Sequence, residues 1–112
     1  MASRVVPLSA EVASLRQVTL QDEVPIDGTI TQLLVHWPAG CVGNVEIALG
    51  IRRDTWLMPP KVGTYLALDD FTATLDCHEP VKKGERLWMI VRNGDDTNVH
   101  TSTCAFNVVG KA

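Results

Sequence analysis

Short apolar runs, each closed by a turn signal, recur along this chain of 112 residues with almost no helical period between them. Such runs are typical of β-strands, and proline, glycine, asparagine and aspartate are typical of the turns that close them. Their regular spacing predicts one all-β domain of seven or eight strands. The turns are predicted at Pro38–Gly40, Pro59–Pro60, Lys82–Gly84 and Asn93–Asp96, and the strands at Thr29–Trp37, Val45–Arg52, Tyr65–Asp69, Phe71–Cys77, Glu85–Asn93 and Thr101–Val109.

Two of these runs indicate how the strands are layered. In Val45–Arg52 the odd positions are large and apolar while the even ones are charged or small, which predicts a strand with one buried face. The run Leu87–Val91 is apolar on both faces, so its strand is either central between two layers or carries one face into a partner subunit. We therefore predict a two-sheet antiparallel β-sandwich, jelly-roll-like in topology.

The sequence of the N-terminal segment is compatible with both a helix and a strand. Apolar residues between positions 5 and 20 recur at near-helical spacing, whereas Ser14–Leu20 could equally begin a strand. We expect an extended arm over residues 1–12 and a β-sandwich domain over residues 13–112. Pro25 fixes its backbone φ, and Asp27 with Gly28 supplies a hairpin turn pair before the strand that begins at Thr29.

Charge and composition exclude several classes of partner. The net charge is −3, and Arg52–Arg53 and Lys82–Lys83 are the largest basic clusters, so no footprint for a phosphate backbone is present. The N-terminus lacks the apolar core of a signal peptide, and no run approaches the roughly 18 apolar residues that span a bilayer. We expect neither nucleic acid nor a membrane as partner, and synthesis in a cytoplasm.

Three cysteines make an odd number at no metal-like spacing. Buried reduced thiols are the expected state, and a single bridge or an intersubunit pair is the alternative. Each cysteine has a histidine nearby in sequence, so imidazole and thiolate ligands could in principle hold zinc. The favoured interpretation is that the thiols pack inward while the histidines lie at strand ends. The pairs are His36 with Cys41, Cys77 with His78, and His100 with Cys104.

Aspartates at two strand ends offer oxygen ligands of the kind that calcium uses. They are Asp69–Asp70, and Asp95–Asp96 followed by Asn98. Both segments are also what a turn requires for local reasons, since Asp and Asn satisfy turn backbone groups and tolerate positive φ. We favour turns over an ion site. No nucleophile elbow or phosphate-binding glycine loop is present, and we expect no enzymatic activity and no cofactor.

Tryptophan is over-represented among the aromatic residues, with Trp37, Trp56 and Trp88 making three of six. Sugar-binding sandwiches place planar rings on an exposed face, whereas tryptophan more often lies in a core or at an interface. Trp56–Met58 precede two prolines, which exclude a regular central strand and predict a loop or an edge. These side chains either tuck under the sandwich or meet another molecule.

The turn and strand signatures from Val24 to Val109 resemble those of small β-sandwich proteins among the structural genes of tailed bacteriophages and related viruses. The resemblance implies a decoration protein on a capsid or tail, without implying any particular site residue. The segments that carry the resemblance are Val24–Ile30, Trp37–Cys41, Val45–Ala48, Ala67–Asp70, Pro80–Glu85 and Asn93–Thr101.

The sequence thus predicts a non-enzymatic virion structural protein, made in the host cytoplasm, that binds and stabilises a capsid or tail lattice. We expect a symmetric homo-oligomer, such as a trimer, with the major capsid or tail protein as its partner. A carbohydrate-binding module and an extracellular filament subunit are the alternatives. The candidate assembly contacts are Val5, Val6, Leu8, Trp56, Leu57, Met58, Trp88 and Ile90.

Overall fold

The computed structural model describes residues 2–110, and these form eight β-strands with no helix. No segment among them could therefore cross a membrane as a helix. The strands are β1 (Ser3–Val12), β2 (Arg16–Glu23), β3 (Gly28–Trp37), β4 (Val45–Ile51), β5 (Thr55–Met58), β6 (Phe71–Val81), β7 (Arg86–Asn93) and β8 (His100–Gly110).

The strands form two four-stranded antiparallel sheets packed against each other. Sheet A has the order β1-β8-β3-β6, and sheet B has the order β2-β7-β4-β5. An eight-stranded sandwich with these two orders is a jelly roll. The predicted two-sheet antiparallel β-sandwich is confirmed.

Alternation along the strands builds the core between the sheets. On β4 the side chains of Val45, Ile47, Leu49 and Ile51 are fully buried, as the period-2 pattern predicts. Strand β7 lies between β2 and β4, so it is central in its sheet and its inner face contributes to the same core. The largest fully buried side chains are Trp37, Phe106, Ile30, Leu33, Ile47, Leu49, Ile51, Met58, Leu87 and Met89.

The expected N-terminal arm is a strand of the sheet. Ser3–Val12 forms β1, which pairs with β8 through ten consecutive residue pairs from Ser3–Val109 to Val12–His100. Val6, Ala10 and Val12 are buried in the core. The alternation of inward apolar and outward residues makes this segment part of the body and not an extension from it. Met1, Lys111 and Ala112, at the ends of the two predicted regions, lie outside the described residues.

The segment between β5 and β6 differs from prediction. Tyr65–Asp69 is not a strand, because only Leu66 pairs, through an isolated bridge with Ile47 on β4. Two prolines precede this segment, and Gly63 has a positive φ of 81°, so the backbone leading into it does not follow a regular strand. Trp56–Met58, predicted as a loop or an edge, forms the edge strand β5.

Most connections cross from one sheet to the other. The β4–β5 connection alone joins neighbouring strands of one sheet within residues 2–110, so the hairpin predicted at Asp27–Gly28 is instead a crossover from β2 to β3. Gly28 is the first residue of β3, where a Cβ would overlap the carbonyl oxygen of Val109. Residues 93–98 likewise cross between sheets, from β7 to β8.

The two ends of the sandwich carry different connections between strands. We call the loop end the one that carries the β1–β2, β3–β4, β5–β6 and β7–β8 connections. Backbone hydrogen bonds from Leu15 N to Asp95 O and from Gly94 N to Asn44 O join three of these loops directly. Val42 N donates to the Asp69 carboxylate and so adds the fourth. The opposite end carries the remaining three connections.

Candidate functional site

A buried polar network holds the loop end together, and Asn93 lies at its centre. Its side-chain amide donates to the carbonyls of Val12 and Asn98, both at 2.9 Å, and its side-chain oxygen accepts from the Asp95 amide, also at 2.9 Å. Asn93 is almost fully buried. One side chain therefore connects the end of β1, the end of β7 and the β7–β8 loop.

Asp95 continues this network as the acceptor of the β7–β8 loop. Its Oδ1 accepts from the backbone amides of Thr97 and Asn98 and from the Thr97 hydroxyl. Its Oδ2 accepts from His100 Nε2 at 2.9 Å. These bonds hold the pKa of the Asp95 carboxyl well below its usual range, with the bond from His100 as the largest cause. The segment is thus a turn organised by one ionised carboxylate, as the local turn chemistry predicts.

The imidazole of His100 lies between the thiol of Cys41 and the carboxylate of Asp95. The Cys41 sulfur lies 3.9 Å from His100 Nδ1, and His100 Nε2 binds Asp95. Because a carboxylate can only accept, Nε2 carries a proton, and in the neutral imidazole Nδ1 is an acceptor facing the thiol. The sequence pairs His36 with Cys41 and His100 with Cys104, whereas the fold brings together His100 and Cys41.

This arrangement resembles a nucleophile with its base, but the sulfur is closed to solvent. Cys41 has no exposed surface, and burial, followed by the charge of Asp69, raises the pKa of its thiol. A protonated thiol is a poor nucleophile and a poor metal ligand. Within residues 2–110 no group of three or more His, Cys, Asp or Glu side chains is placed to hold a metal ion. The geometry therefore fits a brace for the loops.

Exposed apolar side chains stand above this brace. Leu15, Val42, Phe71 and Val99 are 65%, 70%, 53% and 54% exposed, and all four lie in or beside the loops of the loop end. We call them the apolar loop patch. Leu15 and Val42 also have left-handed backbones, with φ of 56° and 49°, a conformation that bulky residues rarely adopt. Positive φ and apolar exposure therefore coincide at this end of the sandwich.

A second feature lies on the outer face of sheet B. Trp88 points outward from β7, between Gln21 on β2 and Gly50 on β4. Its ring covers Gly50, where a Cβ would overlap the indole, and its N–H donates to the carbonyl of Arg52 at 2.6 Å. Trp88 is therefore buried on the outside of the sheet, because a neighbouring strand supplies a residue without a side chain.

Two further rings extend this surface. Trp56 meets Trp88 edge to face with centroids 4.9 Å apart, and meets Tyr65 in the same way at 5.6 Å. The Arg92 guanidinium lies 4.5 Å from the centre of the Tyr65 ring, in cation–π contact. A groove of about 530 Å³ opens beside Trp56 and Trp88, and we call it the aromatic groove.

Charged side chains line the groove toward the opposite end of the sandwich. Arg52, Arg53, Glu85 and Arg86 all contribute to its wall. Arg52 binds Glu85 at 2.6 Å, Glu79 at 3.2 Å and the carbonyl of Pro80 at 2.8 Å. The pKa of the Glu85 carboxyl is lowered, first by the bond from Arg52 and then by the backbone amide of Lys82. This ion pair ties together the β4–β5 and β6–β7 connections.

The predicted assembly contacts separate into three groups. Trp56, Trp88 and Ile90 converge on the aromatic groove. Val5 is exposed, at the end of the molecule away from the apolar loop patch. The remaining predicted contacts face inward on their strands, where they pack in or against the core: Val6, Leu8, Leu57 and Met58.

Other predicted positions have local roles. Trp37 lies in the core and donates its indole N–H to the carbonyl of Val45. His36 Nδ1 lies 2.9 Å from the hydroxyl oxygen of Thr72, its register partner on β6. Cys41 and Cys104 are buried and Cys77 is half-buried, and none of the three forms a disulfide within residues 2–110. The apolar loop patch was missed from sequence, since isolated apolar residues in loops give no periodic signal.

No protein-family model matches the chain, and no curated protein matches it. Solved structures share its fold at low sequence identity. A mitogen derived from Yersinia pseudotuberculosis has 9% identity and a TM-score of 0.53, over 99% of this chain and 91% of the other.

Two further structures are similar at lower TM-scores. FLHE has 13% identity and a TM-score of 0.47, over 96% of this chain and 98% of the other. A family two carbohydrate esterase from Cellvibrio japonicus has 11% identity and a TM-score of 0.43, over 96% of this chain and 35% of the other. Identities this low speak to the fold alone, since one fold serves many functions.

Proposed function

We propose that this protein is a non-enzymatic structural protein of a virus particle, a decoration protein that docks on a capsid or tail lattice through its loop end. The apolar loop patch is the observation that carries the proposal. Three of its four exposed side chains come from three separate connections and the fourth, Phe71, begins β6, at the end where hydrogen bonds join the loops. Apolar groups held on a fixed framework lose little conformational entropy on docking.

Hydrogen bonds hold the loops of the loop end in place, and this supports docking through them. Asn93, Asp95 and His100 bind one another beneath the patch, and Gly94 N donates to Asn44 O at 2.8 Å. The loops therefore present their tips in one arrangement before any partner arrives. Pre-organisation of this kind favours binding to a repeated, shape-defined surface such as a lattice.

A symmetric oligomer strengthens the same proposal. The molecule is elongated, 48 × 24 × 22 Å, with the apolar loop patch at one end. Copies standing side by side, as in a trimer, would present several patches to the lattice at once. Linked patches bind together much more strongly than one alone, because each bound copy raises the effective concentration of the next.

The first test is whether the protein is part of a particle. Virus particles from the source culture are purified on a density gradient, and their proteins are identified by mass spectrometry. We expect peptides of this chain to co-sediment with the major capsid or tail protein. Absence from purified particles, when the protein is present in the lysate, would overturn the proposal.

The second test asks which surface docks. Val42→Ser and Val99→Ser change exposed side chains of the patch, and Val5→Ser changes a similarly exposed valine at the other end. Purified variants are added to particles from which the protein has been stripped, and bound protein is measured after sedimentation. We expect binding to fall in the two patch variants and to persist in Val5→Ser. The reverse pattern would move docking away from the loop end.

A further inference from the structure

We propose that the aromatic groove is a binding site for an acidic oligosaccharide, with Trp56 and Trp88 forming its apolar wall and Arg53 meeting the sugar carboxylate. The inference concerns the outer face of sheet B and does not depend on docking through the loop end. Its volume of about 530 Å³ lies within the roughly 300–1,000 Å³ of small-ligand sites.

The apolar wall suits the face of a sugar ring. Trp88 is fixed by its contact with Gly50 and by its N–H bond to Arg52 O, so its buried indole backs the groove and has no free donor. Trp56 is half-exposed and held edge to face between Trp88 and Tyr65. The C–H face of a pyranose packs on aromatic rings of this kind, which present a wide surface at low entropic cost.

Polar side chains beside the rings suit the sugar hydroxyls. Thr19 and Gln21 project from β2 into the groove, next to Ile90 and Trp88 respectively. Gln21 has both donors and an acceptor, and within residues 2–110 its side chain makes no hydrogen bond. An apolar wall with a few adjacent polar groups is the usual composition of a small-ligand site.

The charge of the groove selects an acidic sugar over a neutral one. Glu85 is committed to Arg52 and to the amide of Lys82, so its negative charge is compensated. Arg86 has only a loose pair with Glu23 at 3.9 Å, between two side chains that are both mostly exposed. Arg53 forms no ion pair among the described residues. The lining of the groove thus holds three arginines and one glutamate, and among the described residues Arg53 is the arginine left without a carboxylate partner, on a protein of net charge −3.

A carboxylate on the ring completes this arrangement. The Arg53 guanidinium can donate two parallel hydrogen bonds to it, which is the geometry that arginine and carboxylate groups share. The ring then packs on Trp56 while its hydroxyls reach Gln21. The class of ligand is therefore a pyranose that carries a carboxylate, such as a hexuronate residue in an oligosaccharide.

The test uses trigalacturonate as the acidic probe and maltotriose as the neutral one. Binding is followed by tryptophan fluorescence and by calorimetry with wild type, Trp56→Ala and Arg53→Gln. Arg16→Gln is the matched control, since it removes an exposed arginine from the loop end instead of the groove. Urea unfolding of each variant checks that the fold is retained. If Trp56→Ala does not fold, the binding measurements with Arg53→Gln test the site.

We expect saturable binding of trigalacturonate, unchanged in Arg16→Gln. Loss of the charged hydrogen bonds in Arg53→Gln weakens it by about tenfold or more. Maltotriose binds at least about tenfold more weakly than trigalacturonate for the same reason. The proposal is overturned if trigalacturonate gives no saturable signal or if maltotriose binds equally well. It is also overturned if citrate competes with an affinity equal to that of trigalacturonate, because the site would then bind anions without recognising a sugar.

Discussion

Asn93 shows how one residue can organise a whole end of the fold. It is the last residue of β7, yet its side chain serves the end of β1 and the loop that leads to β8. An amide suits this place because it offers two donors and an acceptor, and three of these capacities are used here. An aspartate would lack the donors and a leucine would lack all three.

Replacement of this residue tests the brace. Asn93→Ala removes two buried hydrogen bonds and one partly buried one, each worth roughly 0.5–1.5 kcal/mol, so we expect the free energy of unfolding to fall by about 2–4 kcal/mol. Urea denaturation measures the change. Asn107→Ala is the control, because its one side-chain bond is 3.5 Å long, and it should cost under about 1 kcal/mol. Equal effects in the two variants would contradict a special role for Asn93.

Asp95 gives the loop end a dependence on pH. Its pKa is lower in the folded chain than in the unfolded chain, chiefly because of the bond from His100. A carboxyl with a depressed folded pKa contributes stability above its unfolded pKa, about 4, and loses it as the pH falls further. Glu85 acts in the same direction, through its bond with Arg52.

We therefore expect the free energy of unfolding to decrease as the pH falls below about 4. Asp95→Asn removes the titrating group, so its loss of stability on acidification should be shallower than that of wild type. Asp54→Asn, at an exposed position outside the network, should follow the wild-type curve. Urea denaturation between pH 7 and pH 3 gives the three curves. An Asp95→Asn curve parallel to wild type would count against the network as the cause.

At the scale of elements, β4 and β7 fit together because a large side chain on β7 covers a residue on β4 that has no side chain. Gly50 and Trp88 are register partners, and the indole occupies the space above the glycine. This match explains how β7 can be apolar on both faces without leaving its second face to water. The inner face packs in the core, and the outer face packs on sheet B itself.

The match predicts coupling between the two positions. Gly50→Ala should destabilise the protein by about 1–3 kcal/mol, because the new Cβ overlaps the Trp88 ring and the backbone carbonyl oxygen of Thr55. In a Trp88→Leu background the same change should cost less, since a smaller side chain can move aside. A double-mutant cycle by urea denaturation gives the coupling energy. Additive effects would show that the ring does not set the cost.

Strand β1 gives a second prediction at this scale. Deletion of residues 1–10 removes the partner of β8 and the buried side chains of Val6 and Ala10, so we expect the truncated chain to lose cooperative unfolding and to aggregate. Circular dichroism during heating and light scattering measure both effects. A soluble truncated chain with the wild-type transition would instead mean that the segment is a dispensable arm.

Strands with a strict period were predictable from sequence. Val45–Arg52 alternates so regularly that its buried face could be named, and β4 has that face inward. The strand at Phe71 and the one ending at Val109 were also located, though the strands run longer than predicted. Such agreement is expected, because side-chain alternation is the same property that builds a two-faced sheet.

Contacts between distant segments were not predictable. Turn residues such as Asp27 and Gly28 indicate where the chain reverses but not which sheet it enters next. The pairing of Cys41 with His100 depends on a loop and a strand end, 59 residues apart in sequence, meeting at one end of the sandwich. Burial of Trp88 on the outer face depends on a glycine in another strand. Each of these features is set by topology, which local periodicity does not contain.

At the scale of the whole molecule, each sheet has two central and two edge strands. The central strands are β8 and β3 in sheet A and β7 and β4 in sheet B. Their backbone groups are paired on both sides, and they supply most of the large core side chains. Edge strands have one open side, so local opening costs them less.

Hydrogen exchange should follow this division. We expect the slowest amides in β3, β4, β7 and β8, with faster exchange in β1, β2, β5 and β6. The amide of Gly94, which binds Asn44 O, should exchange more slowly than that of Val62 in the β5–β6 loop. Mass spectrometry of labelled peptides measures these rates. Uniform exchange across the two sets of strands would contradict the layered stability.

The left-handed backbones of Leu15 and Val42 place stability in conflict with the proposed docking. Glycine or asparagine adopts this conformation at lower cost than a bulky aliphatic residue, so either one would relieve strain at both positions. The same replacement would remove an exposed apolar side chain from the loop end. Selection of this protein for heat resistance alone would therefore tend to remove these exposed side chains, and under the proposed docking the most heat-resistant variant would bind the lattice most weakly.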